Sequence, residues 1–96
     1  MNEGQEMEEQ FALLLETLKN QQMNEVRELF LALHIYEQGQ FYQSLDEKDR
    51  QHLYNYLSPK ELADMFDVIE EDNENMKDYL AEMRPSYAAD MLAEMY

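Results

Sequence analysis

The chain has no cysteine and no tryptophan, two glycines, two prolines, and seven lysine or arginine residues against 22 aspartates and glutamates. Each shortage excludes something. Without cysteine, and with only two histidines, the chain has neither a disulfide staple nor the usual ligands of a structural zinc, so its 96 residues must fold by apolar burial alone. Scarce glycine and proline argue against a turn-rich sandwich, a barrel or a low-complexity tail, and favour helices. The longest uninterrupted apolar runs, Phe11 to Leu15 and Leu29 to Leu33, are five residues long, where a membrane span needs about 18. No direct membrane insertion is expected. Met1 to Glu6 lacks the basic-then-apolar pattern of a secretory signal, so the expected location is cytoplasmic. The shortage of positive charge leaves a net −15, which repels phosphate backbones and anionic lipid alike. Nucleic acid is therefore not an expected partner; cations or a basic protein are.

What is present is helical periodicity. Apolar residues fall at i, i+3, i+4 and i+7 in five segments: Phe11, Leu14, Leu15, Leu18; Val26, Leu29, Phe30, Leu33; Leu62, Met65, Phe66, Ile69; Met76, Tyr79, Leu80, Met83; and Ala88, Met91, Leu92, Met95. Two weaker segments, from Ile35 to Gln43 and from Asp46 to Leu57, bring the expected number of short helices to seven. Ser58-Pro59-Lys60-Glu61 is a capping box with proline at the first helical position. Asp46 can cap the fourth helix, Arg84-Pro85 opens the last, and Glu71-Asp72-Asn73 is expected to close the fifth and open the sixth. Residues 1–6 are expected to be disordered.

The segments repeat. Leu57-Ser58-Pro59-Lys60-Glu61-Leu62-Ala63-Asp64-Met65-Phe66 realigns on Met83-Arg84-Pro85-Ser86-Tyr87-Ala88-Ala89-Asp90-Met91-Leu92, and a fainter copy begins at Leu33-His34. A helix pair of about 25 residues, stacked on its copies, predicts an all-α fold: a short superhelical stack, or solenoid, of about seven helices in hairpin repeats. The apolar stripe of the last segment, with Met91, Leu92, Met95 and Tyr96, has no following helix to cover it, as expected of a fragment of a longer chain.

In order and spacing, these elements resemble the N-terminal cytosolic domain of MgtE-family magnesium transporters, from about Leu14 to Tyr96. The pattern departs from the family at Ile35 and Gly39, where a proline and a good helix former are expected. The resemblance implies one domain over 1–96, a cytoplasmic part of an inner (plasma) membrane protein whose parent is a homodimer. It also implies that Mg2+ binds weakly between the acidic domain and the CBS domains of the same parent chain, drawing them together and favouring the closed transmembrane pore. A second likeness, to the middle region of the flagellar motor switch protein FliG, implies a helical-repeat interaction module instead.

For the metal, the repeated Ala-Asp-Met element offers Asp64 and Asp90. Asp64 lies about 150° from the mean direction of its apolar stripe, with Asp67 and Glu71 on the same side. Asp90 shares its face with Ser86 and Glu94. Equivalent helices of stacked units lie about 10 Å apart, so Asp64 and Asp90 are expected to reach outward separately and not to share one ion. The run Glu70 to Glu74 is no calcium loop, since Asn75 or Met76 stands where glycine is required. His34 is expected to satisfy carbonyls at the end of the second helix, and His52 to lie on a polar face. Three serines without a neighbouring base, and no glycine-rich phosphate loop, give no ground for an enzyme.

Overall fold

The computed structural model describes residues 3–69 and 74–95. Its seven helices are α1 (Glu3–Lys19), α2 (Met23–Ala32), α3 (Ile35–Ser44), α4 (Glu47–Tyr56), α5 (Pro59–Ile69), α6 (Met76–Glu82) and α7 (Pro85–Met95). All regular structure among the described residues is helical, as the periodicity predicts. The acidic run Glu71-Asp72-Asn73, expected to close the fifth helix and open the sixth, lies outside the described residues. α1 is longer than expected and starts at Glu3, within the stretch 1–6 for which no structure is expected. The run from Gln5 to Gln10 is made of good helix formers, which carry the helix back beyond the apolar stripe.

Short corners set the geometry. Leu33, Leu45, Leu57 and Met83 each leave a helix in an extended conformation, with ψ of 148, 153, 141 and 155°, and a polar residue then opens the next helix. Leu45, Leu57 and Met83 are buried, so an apolar side chain pins each of these corners to the core. At the openings, the Asp46 carboxylate accepts from the Asp49 N–H at 2.9 Å. Ser58 Oγ accepts from the Glu61 N–H at 3.2 Å while the Ser58 N–H donates back to Glu61 Oε1 at 2.9 Å, which completes the expected box. His34 differs from its expected role. Its backbone N–H donates to Glu37 Oε1 at 3.0 Å and its Nδ1 accepts from the Tyr36 N–H at 3.4 Å, so it caps the start of α3 and not the end of α2. α3 therefore begins at Ile35 without the proline of the family pattern. Between α1 and α2 the chain turns through Gln21 at φ 57°, with Gln22 N–H donating to the Thr17 carbonyl and Gln21 N–H to that of Leu18, a Schellman-type ending.

The helices form two rows. α3, α5 and α7 lie side by side with α5 in the middle, while α2 packs on α4 and α1 covers both. Leu14, Leu18, Val26, Phe30, Phe41, Tyr42, Leu53, Leu62, Met65, Phe66 and Met91 are fully buried. Tyr42 sits at the centre, edge-on to Phe66 at 5.2 Å and to Tyr79 at 4.9 Å between ring centroids, an arrangement that suits the ring quadrupoles. Leu80 and Leu92, whose helical spacing places them in the apolar stripes, are only half-buried.

Candidate functional site

α5 is anchored at its first turn. Arg27 of α2 reaches its first turn and donates twice to the Glu61 carboxylate, Nη1 to Oε1 at 2.6 Å and Nη2 to Oε2 at 2.7 Å. The same Nη1 also donates to the Tyr56 carbonyl at 2.9 Å. The bidentate guanidinium, with help from the Ser58 N–H, holds the Glu61 carboxyl down at about 2. With its start fixed, α5 turns Leu62, Ala63, Met65, Phe66 and Ile69 into the core and leaves Asp64 and Asp67 exposed. On α7, packed alongside, Tyr87 and Met91 are buried and Ser86, Asp90 and Glu94 exposed.

The structure thus places Asp64, Asp67, Asp90 and Glu94 on the outside of two neighbouring helices, as the periodicity predicts; Glu71 lies outside the described residues. It brings Asp90 and Glu94 together, one helical turn apart, around a shallow depression shared with Ser58, Pro59 and Lys60. It does not bring Asp64 to them: among the described residues no three histidine, aspartate or glutamate side chains lie close enough to hold one ion. Each acidic position therefore offers one or two carboxylates and leaves the remaining coordination open. That fits Mg2+, which keeps several of its waters and takes only one or two carboxylates. It does not make a complete protein cage.

Sequence reasoning missed a polar network under this row. Arg50 of α4 donates to Glu82 at the end of α6, Nε to Oε2 at 2.7 Å and Nη2 to Oε1 at 3.0 Å, with the two side chains only 14% and 7% exposed. Arg50 Nη1 also bonds the Leu45 carbonyl, and its guanidinium lies over the Tyr79 ring at 5.0 Å. Tyr54 donates to Glu82 at 2.5 Å and its hydroxyl meets that of Tyr42. Burial pushes both phenols well above their ordinary range. Gln51 Nε2 donates to the Glu82 carbonyl at 2.8 Å. The network fastens the end of α6, and with it the start of α7, to α4. A third pair, Lys19 with the buried Asp49 at 3.1 Å, ties α1 to α4. The signal in the sequence is scarcity: in a chain this acidic, an arginine in a helix interior has a carboxylate to meet. Its partner, some 30 residues away, is a matter of tertiary structure. These ion pairs neutralise only themselves, so the whole of the −15 charge belongs to the remaining surface.

The family model described as the MgtE intracellular N domain matches residues 33–96, leaving α1 and α2 ahead of the matched stretch. Over 90 residues the chain is 99% identical to a protein named Magnesium transporter MgtE from Enterococcus faecalis (strain ATCC 700802 / V583), an overlap of 94% of this chain and 20% of that protein. A solved structure, described as the crystal structure of the soluble part of a magnesium transporter, superposes with a TM-score of 0.90 at 99% identity. It covers 94% of this chain, which spans 35% of its own length. The chain is thus about a fifth of the relative's length.

Proposed function

This chain belongs to the MgtE intracellular N domain family, and from that premise we propose that it is the Mg2+-sensing regulatory domain of a magnesium transporter. Its acidic outer face approaches the CBS domains of the same parent chain, and Mg2+ bound between carboxylates of the two favours the closed pore. The observation that carries this reading is the set of exposed carboxylates on α5 and α7, each an incomplete ligand set on an anchored helix. Two acidic surfaces repel at low Mg2+, and the separated arrangement is then favoured. Divalent ions bridging carboxylates remove the repulsion, so the compact arrangement is linked to Mg2+ concentration. Weak sites suit a sensor of an abundant cytosolic ion, because a tight site would be occupied at all times. No described helix is long and apolar enough to cross a membrane, so in this reading the pore is supplied by the rest of the parent chain. Family membership leaves the likeness to the flagellar motor switch protein as one of architecture.

The test uses the full-length transporter. Asp64→Asn with Asp90→Ala removes ligand charge at two exposed positions, where substitutions usually change stability by less than about 0.5 kcal/mol. Protease protection of the domain linker, titrated with Mg2+, should then show its midpoint at higher Mg2+. An unchanged midpoint in the folded double variant would remove these two residues from the sensor, and Asp67, Glu71 and Glu94 would be the next face to substitute.

A further inference from the structure

Leu13 stands on the outer side of α1 with 53% of its surface exposed, one of four large apolar side chains left open among the described residues. It is not isolated. With Leu14, Leu29, Ala32 and Leu33 it lines a pocket of about 130 Å³ between α1 and α2, to which Gln10 and Glu37 also contribute. Along α1 the depression continues past Gln10 to Glu9 and Glu6. The pocket is close in size to a cavity of about 150 Å³ that accommodates benzene, so it takes one leucine- or phenylalanine-sized side chain. The charged residues are of one sign: Glu37 lines the pocket, Glu6 and Glu9 line the depression that adjoins it through Gln10 and Leu13, and no lysine or arginine lines either.

An apolar socket with an acidic rim selects its occupant. A second copy of the chain would bring another −15 charge against that rim, and anionic lipid is repelled for the same reason. A basic amphipathic helix meets both features at once, its apolar stripe supplying the side chain for the socket and its flanking lysines and arginines facing the carboxylates. We propose that the groove between α1 and α2 is a docking site for a basic amphipathic helix of a protein partner. The site is separate from the carboxylates of α5 and α7, and α1 and α2 precede the family's matched stretch.

The test uses the 96-residue chain and synthetic 14-residue leucine–lysine peptides, one with leucines at helical spacing and one of the same composition in scrambled order. Fluorescence anisotropy should show the patterned peptide binding at least about ten-fold more tightly. Leu13→Gln preserves charge and alters only an exposed side chain, so thermal unfolding should be unchanged while affinity for the patterned peptide falls at least about ten-fold. Ala32→Phe, which fills the socket from the exposed side of α2, should lower it similarly. Equal binding of the two peptides, or undiminished binding by Leu13→Gln, would mean diffuse attraction to an acidic surface and overturn the proposal. So would no binding at all. A dimer of the free chain in sedimentation, abolished by Leu13→Gln, would assign the groove to a second copy instead.

Discussion

Replacing Gly39 with alanine should destabilise this protein, although Gly39 lies inside α3 and alanine is the better helix former. In an exposed helix the exchange would stabilise by about 1 kcal/mol. Here an added Cβ would lie 2.6 Å from Ile69 Cγ2 on α5, where ordinary contact begins at 3.4 Å. Relieving the overlap means moving one helix of the central row by most of an ångström, since the obstacle is a branched methyl close to its own backbone and not the tip of a flexible chain. Overpacking of a close-packed core costs about 1–3 kcal/mol, so against the propensity gain the net expectation is a loss of up to about 2 kcal/mol. The assay is urea unfolding followed by circular dichroism, in a double-mutant cycle with Ile69→Ala. Once the obstructing methyl is removed, Gly39→Ala should stabilise by about 1 kcal/mol, and the difference between the two backgrounds is a coupling of about 1–3 kcal/mol. If Gly39→Ala stabilised the parent chain, or had the same effect in both backgrounds, α3 and α5 would not approach as closely as described.

Three further outcomes are expected. Phe66 is fully buried against Tyr42 and Tyr79, so Phe66→Ala should cost about 3–5 kcal/mol in the same assay; a loss under about 1 kcal/mol would place the α5 stripe outside the core. Glu61 is held from its ordinary 4.5 down to about 2, so its contribution is complete above about pH 4.5 and lost as the pH falls toward 2. The face value is about 3 kcal/mol, reduced to about 1–2 kcal/mol because Arg27 is 36% exposed and partly screened. The stability difference between parent and Glu61→Gln should therefore shrink across that window, and a difference constant from pH 7 to pH 2 would refute the linkage. Calorimetry of the 96-residue chain with Mg2+ should show only weak binding, since no three donors are assembled among the described residues; a micromolar site would require a complete cage within one domain.

The sequence by itself determined whatever is local. Helix stripes follow from 3.6-residue periodicity, and Ser58 with Glu61, or Asp46 with Asp49, act within one turn. The repeat of Leu57-Ser58-Pro59 in Met83-Arg84-Pro85 predicted a stack of helix hairpins, and the outward direction of Asp64, Asp67, Asp90 and Glu94 followed from the angle each makes with its own stripe. Tertiary structure decided what depends on distant residues. Gly39 was visible only as a departure from the family pattern, because its reason is a methyl of Ile69, 30 positions later. His34 showed as a polar residue at a boundary, and only the path of the chain made it the cap of α3 and not the end of α2. Leu80 and Leu92 have the spacing of core residues and are nonetheless only half-buried. The pairing of Arg50 with Glu82 and the socket beneath Leu13 exist only where helices cross, for periodicity assigns a side chain its face and packing alone decides what stands opposite.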